Sequence, residues 1–388
     1  MNPAGEFLLT IGGILLLGLL TSAIGRRTAL PRVTLLLLFG IVIGRSGFNI
    51  IPPVFTDYFD IVADIALVMV GFLLGGKLTP TGLRNSGRQV LSISIAAAVV
   101  AVAFVTAALV AVGMALQPAI LLGCIAAATA PAAVYDIVDE IKAHSVFSKL
   151  LLAVVAVDDA WALVMFSLGM ALVASLNGSG LAAPLLGALW ELGGGVALGA
   201  IIGFPAAVLT GRVKPGEPIL SEALGLVFIC GGLAIWLGVS FLIASITMGF
   251  VVATYAKHHD YSFHEIEHIE ALVMVVFFVL AGATLEISAL QGLGLVGAAY
   301  IASRALGKFC GAWLGARIGG ASTEVRQWMG LALLPQAGVA IGMALVASTF
   351  FPQYRQLLLS IVISSTVFFE LLGPLLTRLA LKRTLHSE

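Results

Sequence analysis

Long apolar runs limit what this chain can fold into. From Phe7 to Ile24 no charged residue interrupts the sequence, and similar runs recur as far as residue 379. A helix needs about 20 mostly apolar residues to cross the hydrocarbon of a bilayer. The chain is 60% hydrophobic and 10% charged, with a mean hydropathy of +1.10, whereas soluble domains carry roughly 25% charge. It cannot cover itself with a surface fit for water, which excludes a soluble enzyme. The runs are unbroken, so they also exclude an outer-membrane barrel, whose strands alternate over about ten residues. Its 20 basic and 20 acidic residues cancel, and nothing points to nucleic acid. The expected class is an all-α integral membrane protein surrounded by lipid.

Thirteen runs are expected to span the membrane: about 5–24, 33–47, 60–77, 89–113, 117–138, 147–175, 183–210, 219–237, 240–256, 269–286, 289–317, 327–349 and 355–379. The connections between them are short, so a single membrane domain with no soluble domain is expected over 1–388. The first run lacks the basic start of a signal peptide and is expected to remain as a helix. Alternate connections fall on opposite sides. One side collects sixteen Lys and Arg, the other only Arg45 and Arg355. The basic side marks the cytoplasm, which places the N-terminus outside and the C-terminus inside a multi-pass plasma membrane. Cys124, Cys230 and Cys310 lie in apolar runs without a shared ligand spacing and read as small buried hydrophobes.

Two segments recur seven spans apart. FLLGGKLTPTGL (72–83) resembles VLAGATLEISAL (279–290), and TAPAAV (129–134) matches LLPQAG (333–338) in carrying a proline inside an apolar run. Seven is odd, so the second copy must be inverted: repeat one over about 5–175, a linker helix over about 183–210, and repeat two over about 219–379. Inverted repeats with interrupted helices in matching places characterise secondary transporters. Pro131 and Pro335 each remove a backbone hydrogen bond and clash with the preceding turn. Freed carbonyls at that depth are tolerated only beside a cavity or buried polar partners.

Charges also lie where hydrocarbon is expected. Asp158 and Asp159 fall about a dozen residues into the sixth run, and Arg304 and Lys308 sit one turn apart in the eleventh. Each costs about 2.5–3.5 kcal/mol on the insertion scale, so a functional site is the default reading. The alternative is a structural ion pair, which fits Arg304 better than the others. Adjacent helical residues point about 100° apart, so the two aspartates have different tasks. Burial disfavours the charged form of each group, which lets both exchange protons near neutral pH. A carboxylate is also a hard oxygen ligand for a small cation, and competition between cation and proton at one alternating-access site is enough for antiport.

The ordered set GGKLTP, TAPAAV, VDDAW, RALGKFCGAWLGAR and LLPQAGVAIGMA resembles the monovalent cation/proton antiporters, in particular the electrogenic bacterial branch with paired aspartates. The resemblance covers essentially the whole chain. It implies thirteen helices, two interrupted crossing helices, a scaffold that dimerises and a mobile core. It also implies that Asp159 binds cation and proton, that Asp158 partners Lys308, and that Thr129 supplies a polar group in the first break. No resident cofactor is implied, and the only metal is the transported sodium or lithium at Asp159. Ala130 stands where relatives often place a serine, aspartate or asparagine, and Gln336 where they vary, so both positions bear on ion choice. The first aspartate and the absence of a nucleotide-binding domain favour sodium or lithium over potassium.

Weaker signals remain. Glu370 is expected to form a structural pair, with ion ligation the lesser possibility. The stretch 257–270 gathers four histidines and reads as a solvated cytoplasmic connection, with proton sensing or metal binding at His264 and His268 as lesser readings. Tyr135-Asp136 hints at an intramembrane aspartyl protease, but Val-Ala-Val precedes Asp158 where that chemistry needs glycine. A channel is the remaining rival, and it would pass cations without moving protons the other way.

Overall fold

The computed structural model describes residues 3–27, 30–78, 80–143, 145–176, 182–210, 219–256, 259–285, 294–336 and 338–385. Its helices are α1 (Pro3–Arg27), α2 (Arg32–Ile43), α3 (Pro53–Asp57), α4 (Phe59–Lys77), α5 (Pro80–Ala111), α6 (Leu116–Ile125), α7 (Pro131–Ile141), α8 (Val146–Leu176), α9 (Ala182–Thr210), α10 (Ile219–Leu237), α11 (Phe241–Tyr255), α12 (His259–Thr284), α13 (Gly294–Ile318), α14 (Thr323–Ala332), α15 (Gly338–Phe350) and α16 (Arg355–Leu385). No strand occurs among the described residues. Seven of these helices are long and apolar enough to cross a membrane, and α2, α6 and α11 are shorter apolar helices.

Each expected run overlaps one helix or a pair of helices meeting at a break; residue 286 of the run 269–286 and residues 289–293 of the run 289–317 lie outside the described residues. The division near 238 follows from local chemistry. Gly238 has φ +65, a conformation costly for other residues, and Ser240 caps α11 by accepting the Ile243 N–H. The histidine-rich stretch differs from expectation. From His259 onward it is the first turns of α12 rather than a connection, because the FHEIEHIE pattern keeps Phe263, Ile266 and Glu270 on one face. His258 lies outside the described residues, as do the basic residues Arg212, Lys214 and Lys257.

The chain divides into two compact units. The first comprises Met1–Arg84 and Leu189–Leu285. Within it α4 packs on α11 and α2 on α12, and each contact is closed by glycine. A Cβ at Gly75 or Gly249 would strike the backbone of the facing helix, at Ile246 or Phe72. A Cβ at Gly40 or Gly282 would strike Val279 or Leu37 in the same way. Small residues let helix backbones approach this closely in lipid, where van der Waals contact replaces the hydrophobic drive.

The second unit comprises Asn85–Ala188 and Glu286–Glu388. Its apolar core includes Leu121, Leu122, Val173, Ala344, Leu358 and Val362, all fully buried. Helix α13 lies against α5 along a ladder four residues apart. A Cβ at Gly307, Gly311 or Gly315 would come within 2.8, 2.7 or 2.6 Å of the Cα of Ala101, Ala97 or Ile93. Gly311→Leu is therefore expected to lower stability by about 1–3 kcal/mol through overpacking. Thermal unfolding in detergent checks this, with Gly342→Leu as control because nothing lies within 4 Å of a Cβ there. Equal melting of the two variants would remove the ladder from the account.

Candidate functional site

Both interrupted helices belong to the second unit, and each break has a local cause. Pro131 takes the first position of α7, where its missing N–H costs nothing. Ala130 before it is extended, at φ −88 and ψ 103, as a residue preceding proline must be. Residues 126–130 therefore leave the helix. In the second break, Leu333 closes α14 with an N–H to the Met329 carbonyl, residues 334–336 are irregular, and α15 resumes at Gly338. Pro335 sits inside this unwound stretch, not at the start of the following half-helix. The Ala130 N–H donates to the Pro335 carbonyl at 2.9 Å, joining the two breaks where they pass.

Unwinding leaves carbonyls without helical partners, and Arg304 collects them. From α13 its Nε donates to the Ala126 carbonyl at 3.1 Å, Nη2 to Ala128 at 2.8 Å and Nη1 to Leu334 at 2.8 Å. The guanidinium is fully buried and stacks over the Phe369 ring at 4.2 Å. The planar fork thus binds both breaks at once, a task a lysine could not perform. Expected as a charge partner of the aspartates, Arg304 feels the Asp158 charge, while its hydrogen bonds run to backbone oxygens, at the negative ends of α6 and α14.

One turn along α13, Lys308 faces the aspartates. Its Nζ lies 2.7 Å from Asp158 Oδ2 and donates to Thr129 Oγ1 at 2.9 Å. The Thr129 hydroxyl donates to Asp158 Oδ2 and lies 3.4 Å from the Leu333 carbonyl. Asp158, Lys308 and Thr129 are all buried. Asp159 is buried beside them, yet neither of its carboxylate oxygens has a hydrogen-bond partner, and Asp158 Oδ1 has none either. A partnerless buried carboxylate is costly unless a proton or cation serves it, so the donor set suits a hard monovalent ion.

The remaining candidates lie around this cluster. Gln336, in the second break, donates from Nε2 to the Tyr300 hydroxyl at 3.4 Å, and its Oε1 has no partner. Tyr300 carries no sequence signal, since its contact with Gln336 joins residues far apart in the chain. Among the described residues Glu370 makes no ion pair. Its Oε2 has no partner, while Arg378 lies 3.8 Å from Glu140. Glu370 stands one turn before Gly373, which packs against Pro335. In the first unit, the His264 and His268 rings lie 4.6 Å apart. His264 Nδ1 is 3.6 Å from Glu267, and Lys77 Nζ lies 3.9 Å from the same carboxylate. No group of three metal-ligating side chains occurs among the described residues.

Interrupted helices tied together beside a buried Lys–Asp pair and a free carboxylate have a counterpart among known families. The family model described as sodium/hydrogen exchanger, transmembrane, matches residues 12–383. The chain belongs to that family. By its description that family consists of transmembrane sodium/hydrogen exchangers. The Cation/H(+) antiporter 17 of Arabidopsis thaliana is 25% identical over 307 residues, 72% of this chain and 36% of the relative, so the chain spans about a third of that relative's length. The ammonium/H(+) antiporter subunit AmhT of Alkalihalophilus pseudofirmus is 21% identical over 74% of this chain and 73% of its own. Two structures of the sodium proton antiporter MjNhaP1 from Methanocaldococcus jannaschii share the fold. One matches at TM-score 0.74 and 19% identity over 97% of this chain and 98% of that one. The other matches at TM-score 0.80 and 18% identity over 100% and 99%.

Proposed function

We propose that the protein exchanges cytoplasmic sodium or lithium for external protons by alternating access, with Asp159 as the carboxylate that carries either ion. The observation that carries this reading is the state of Asp159: buried, with both oxygens unserved, next to a neighbouring aspartate held by Lys308 and Thr129. When a cation enters, Asp159 gives up its proton, and the loaded site is then exposed to the other side. Thirteen membrane crossings, an inverted repeat, an outside N-terminus and a cytoplasmic C-terminus complete the proposal. So do a homodimer and a place in a bacterial inner membrane. The repeat is supported by the glycine contacts of the first unit. Gly75 and Gly282 are 207 positions apart, the same offset as the recurring motif, and Gly40 and Gly249 are 209 apart; the approaches of Gly40 to Val279 and Gly282 to Leu37 correspond to those of Gly249 to Phe72 and Gly75 to Ile246.

Proteoliposomes with an imposed pH gradient and a fluorescent pH reporter test the reading. Adding sodium or lithium should move protons; a channel would pass sodium with no proton movement in return. A larger cation is the second reading, favoured by the ammonium antiporter subunit among the relatives. A response confined to potassium or ammonium would keep the mechanism and change the cargo.

Asp158 and Lys308 carry the voltage dependence in this proposal. Asp158→Asn and Lys308→Gln are each expected to retain exchange while losing most of its response to a potassium–valinomycin diffusion potential. Unchanged voltage dependence in both variants would remove the pair from the coupling.

A further inference from the structure

The first turns of α12 carry the run His-Glu-Ile-Glu-His over 264–268. Histidines four apart share a helix face, and this spacing is the one that presents two imidazoles to a single zinc ion. In the structure the two rings are neighbours, 4.6 Å between centroids. Both residues are exposed, so an ion reaches them from solvent without the helix opening. A second contact fits a metal ligand. Glu267 places Oε2 3.6 Å from His264 Nδ1, while its other oxygen lies 3.9 Å from Lys77 Nζ at the end of α4. A carboxylate against one ring nitrogen orients the imidazole and raises the basicity of the other, the outer-shell arrangement of metal-binding histidines. Nε2 of His264 is then the nitrogen left for an ion.

The turns that carry the pair are held in place. Phe263 stacks on Phe72 of α4 with ring centroids 4.6 Å apart, and a Cβ at Gly76 would strike the Phe263 ring. Ile266 is fully buried. The backbone under the histidines is therefore fixed before any ion arrives, and binding needs no ordering of the chain.

We propose that His264 and His268 bind a divalent transition-metal ion of the zinc class, with Glu267 positioning His264 and solvent oxygens completing the shell. Imidazole suits zinc, copper and nickel, whereas magnesium and calcium prefer oxygen donors. The ion is not the exchanger's cargo. Asp158, Asp159 and Thr129 belong to the second unit and offer oxygen alone, while the histidines belong to the first. With two protein ligands the site is weaker than a closed four-ligand zinc site. Glu265 takes the place of the general base in zinc hydrolases of this spacing, but it is exposed on an open helix surface, and the proposal is binding alone. On the orientation proposed above this end of α12 faces the cytoplasm. Occupancy joins two successive turns of α12 beside its contact with α4 and stabilises that end.

Calorimetric titration of the purified full chain, isolated through a tag without histidine, tests this with zinc, nickel and magnesium chlorides. Zinc and nickel should bind at a single site and magnesium should not. Glu267→Gln should weaken zinc binding about tenfold or more, the usual cost of losing an outer-shell partner. His264→Ala and His268→Ala should each cost at least as much. Zinc should also raise the melting temperature of wild type, since it binds the folded state, and that rise should vanish in both histidine variants. Without metal these two variants should melt with wild type, because the side chains removed are exposed. Unchanged affinity in any of the three variants overturns the proposal, as does wild type that binds no zinc. Equal weakening in His144→Ala or His386→Ala would mean scattered surface binding and overturn it too.

Discussion

Asp159→Ala is expected to abolish cation-coupled proton movement, lowering the rate at least about a hundredfold, while the protein stays folded. Both carboxylate oxygens lack partners, so truncation removes no hydrogen bond and relieves the cost of an unserved buried acid. Melting temperature in detergent should stay level or rise. A large drop would show that Asp159 is structural. The wild-type pH dependence follows from competition. Below the pH at which the site deprotonates, each proton displaced weakens apparent cation affinity by about tenfold per pH unit, by reciprocal linkage. The slope falls away as pH rises and the proton is already gone. Asp159→Ala should show neither cation binding nor that slope, and calorimetric titrations at several pH values read both.

Arg304→Ala should be the most damaging substitution to stability. It strands the carbonyls of Ala126, Ala128 and Leu334 in a buried crossing and removes the cation over Phe369. Interhelical hydrogen bonds in membrane proteins average about 0.6 kcal/mol, which gives about 2 kcal/mol for three. Bonds from a charged donor are worth about 1.5–3 kcal/mol each, which gives about 5 kcal/mol or more. The buried setting and the two-sided fork place Arg304 towards the higher figure. Arg304→Lys should recover part of the loss, since one ammonium cannot reach three carbonyls set in a fork. Recovery of monodisperse protein and its thermal melting measure the effect. A wild-type melting point for Arg304→Ala would separate the crossing from this side chain.

The sequence made several of these elements legible because their causes are local. Unbroken apolar runs mark helices, Pro131 marks the first half-helix start, and Gly238 marks a turn whose φ only glycine adopts readily. The four intramembrane charges were conspicuous because hydrocarbon tolerates so few. Other features depend on contacts between distant positions, which spacing along the chain does not encode. Arg304 reads as a partner for aspartate, and nothing in the sequence shows that unwinding two helices would also offer it three carbonyls. Tyr300 looks like an ordinary member of an apolar helix until Gln336 is brought against it. The histidine stretch misled for a physical reason: its polar composition suggests a connection, while its apolar spacing sustains a helix. Glu370 shows the opposite failure, because its nearest basic residue in sequence is engaged by Glu140.

The Lys308–Asp158 pair has a consequence for electrical work. Together with Arg304 and an ionised Asp159, the buried cluster sums to zero formal charge. A proton on Asp159 leaves it one positive, and a sodium ion bound in that proton's place leaves it one positive as well. If the exchange stopped there, inward and outward trips would move equal charge and the membrane potential would do no net work on the cycle. Current requires that sodium also drive off a second proton, and under the proposed exchange that proton would come from Lys308, whose Nζ is held by Asp158 and Thr129. The sodium-loaded cluster would then be neutral and the proton-loaded one positive. Under the proposed exchange the salt bridge would act as a meter, its integrity on each transit deciding whether the exchanger runs as a battery-driven pump or as an electrically silent one.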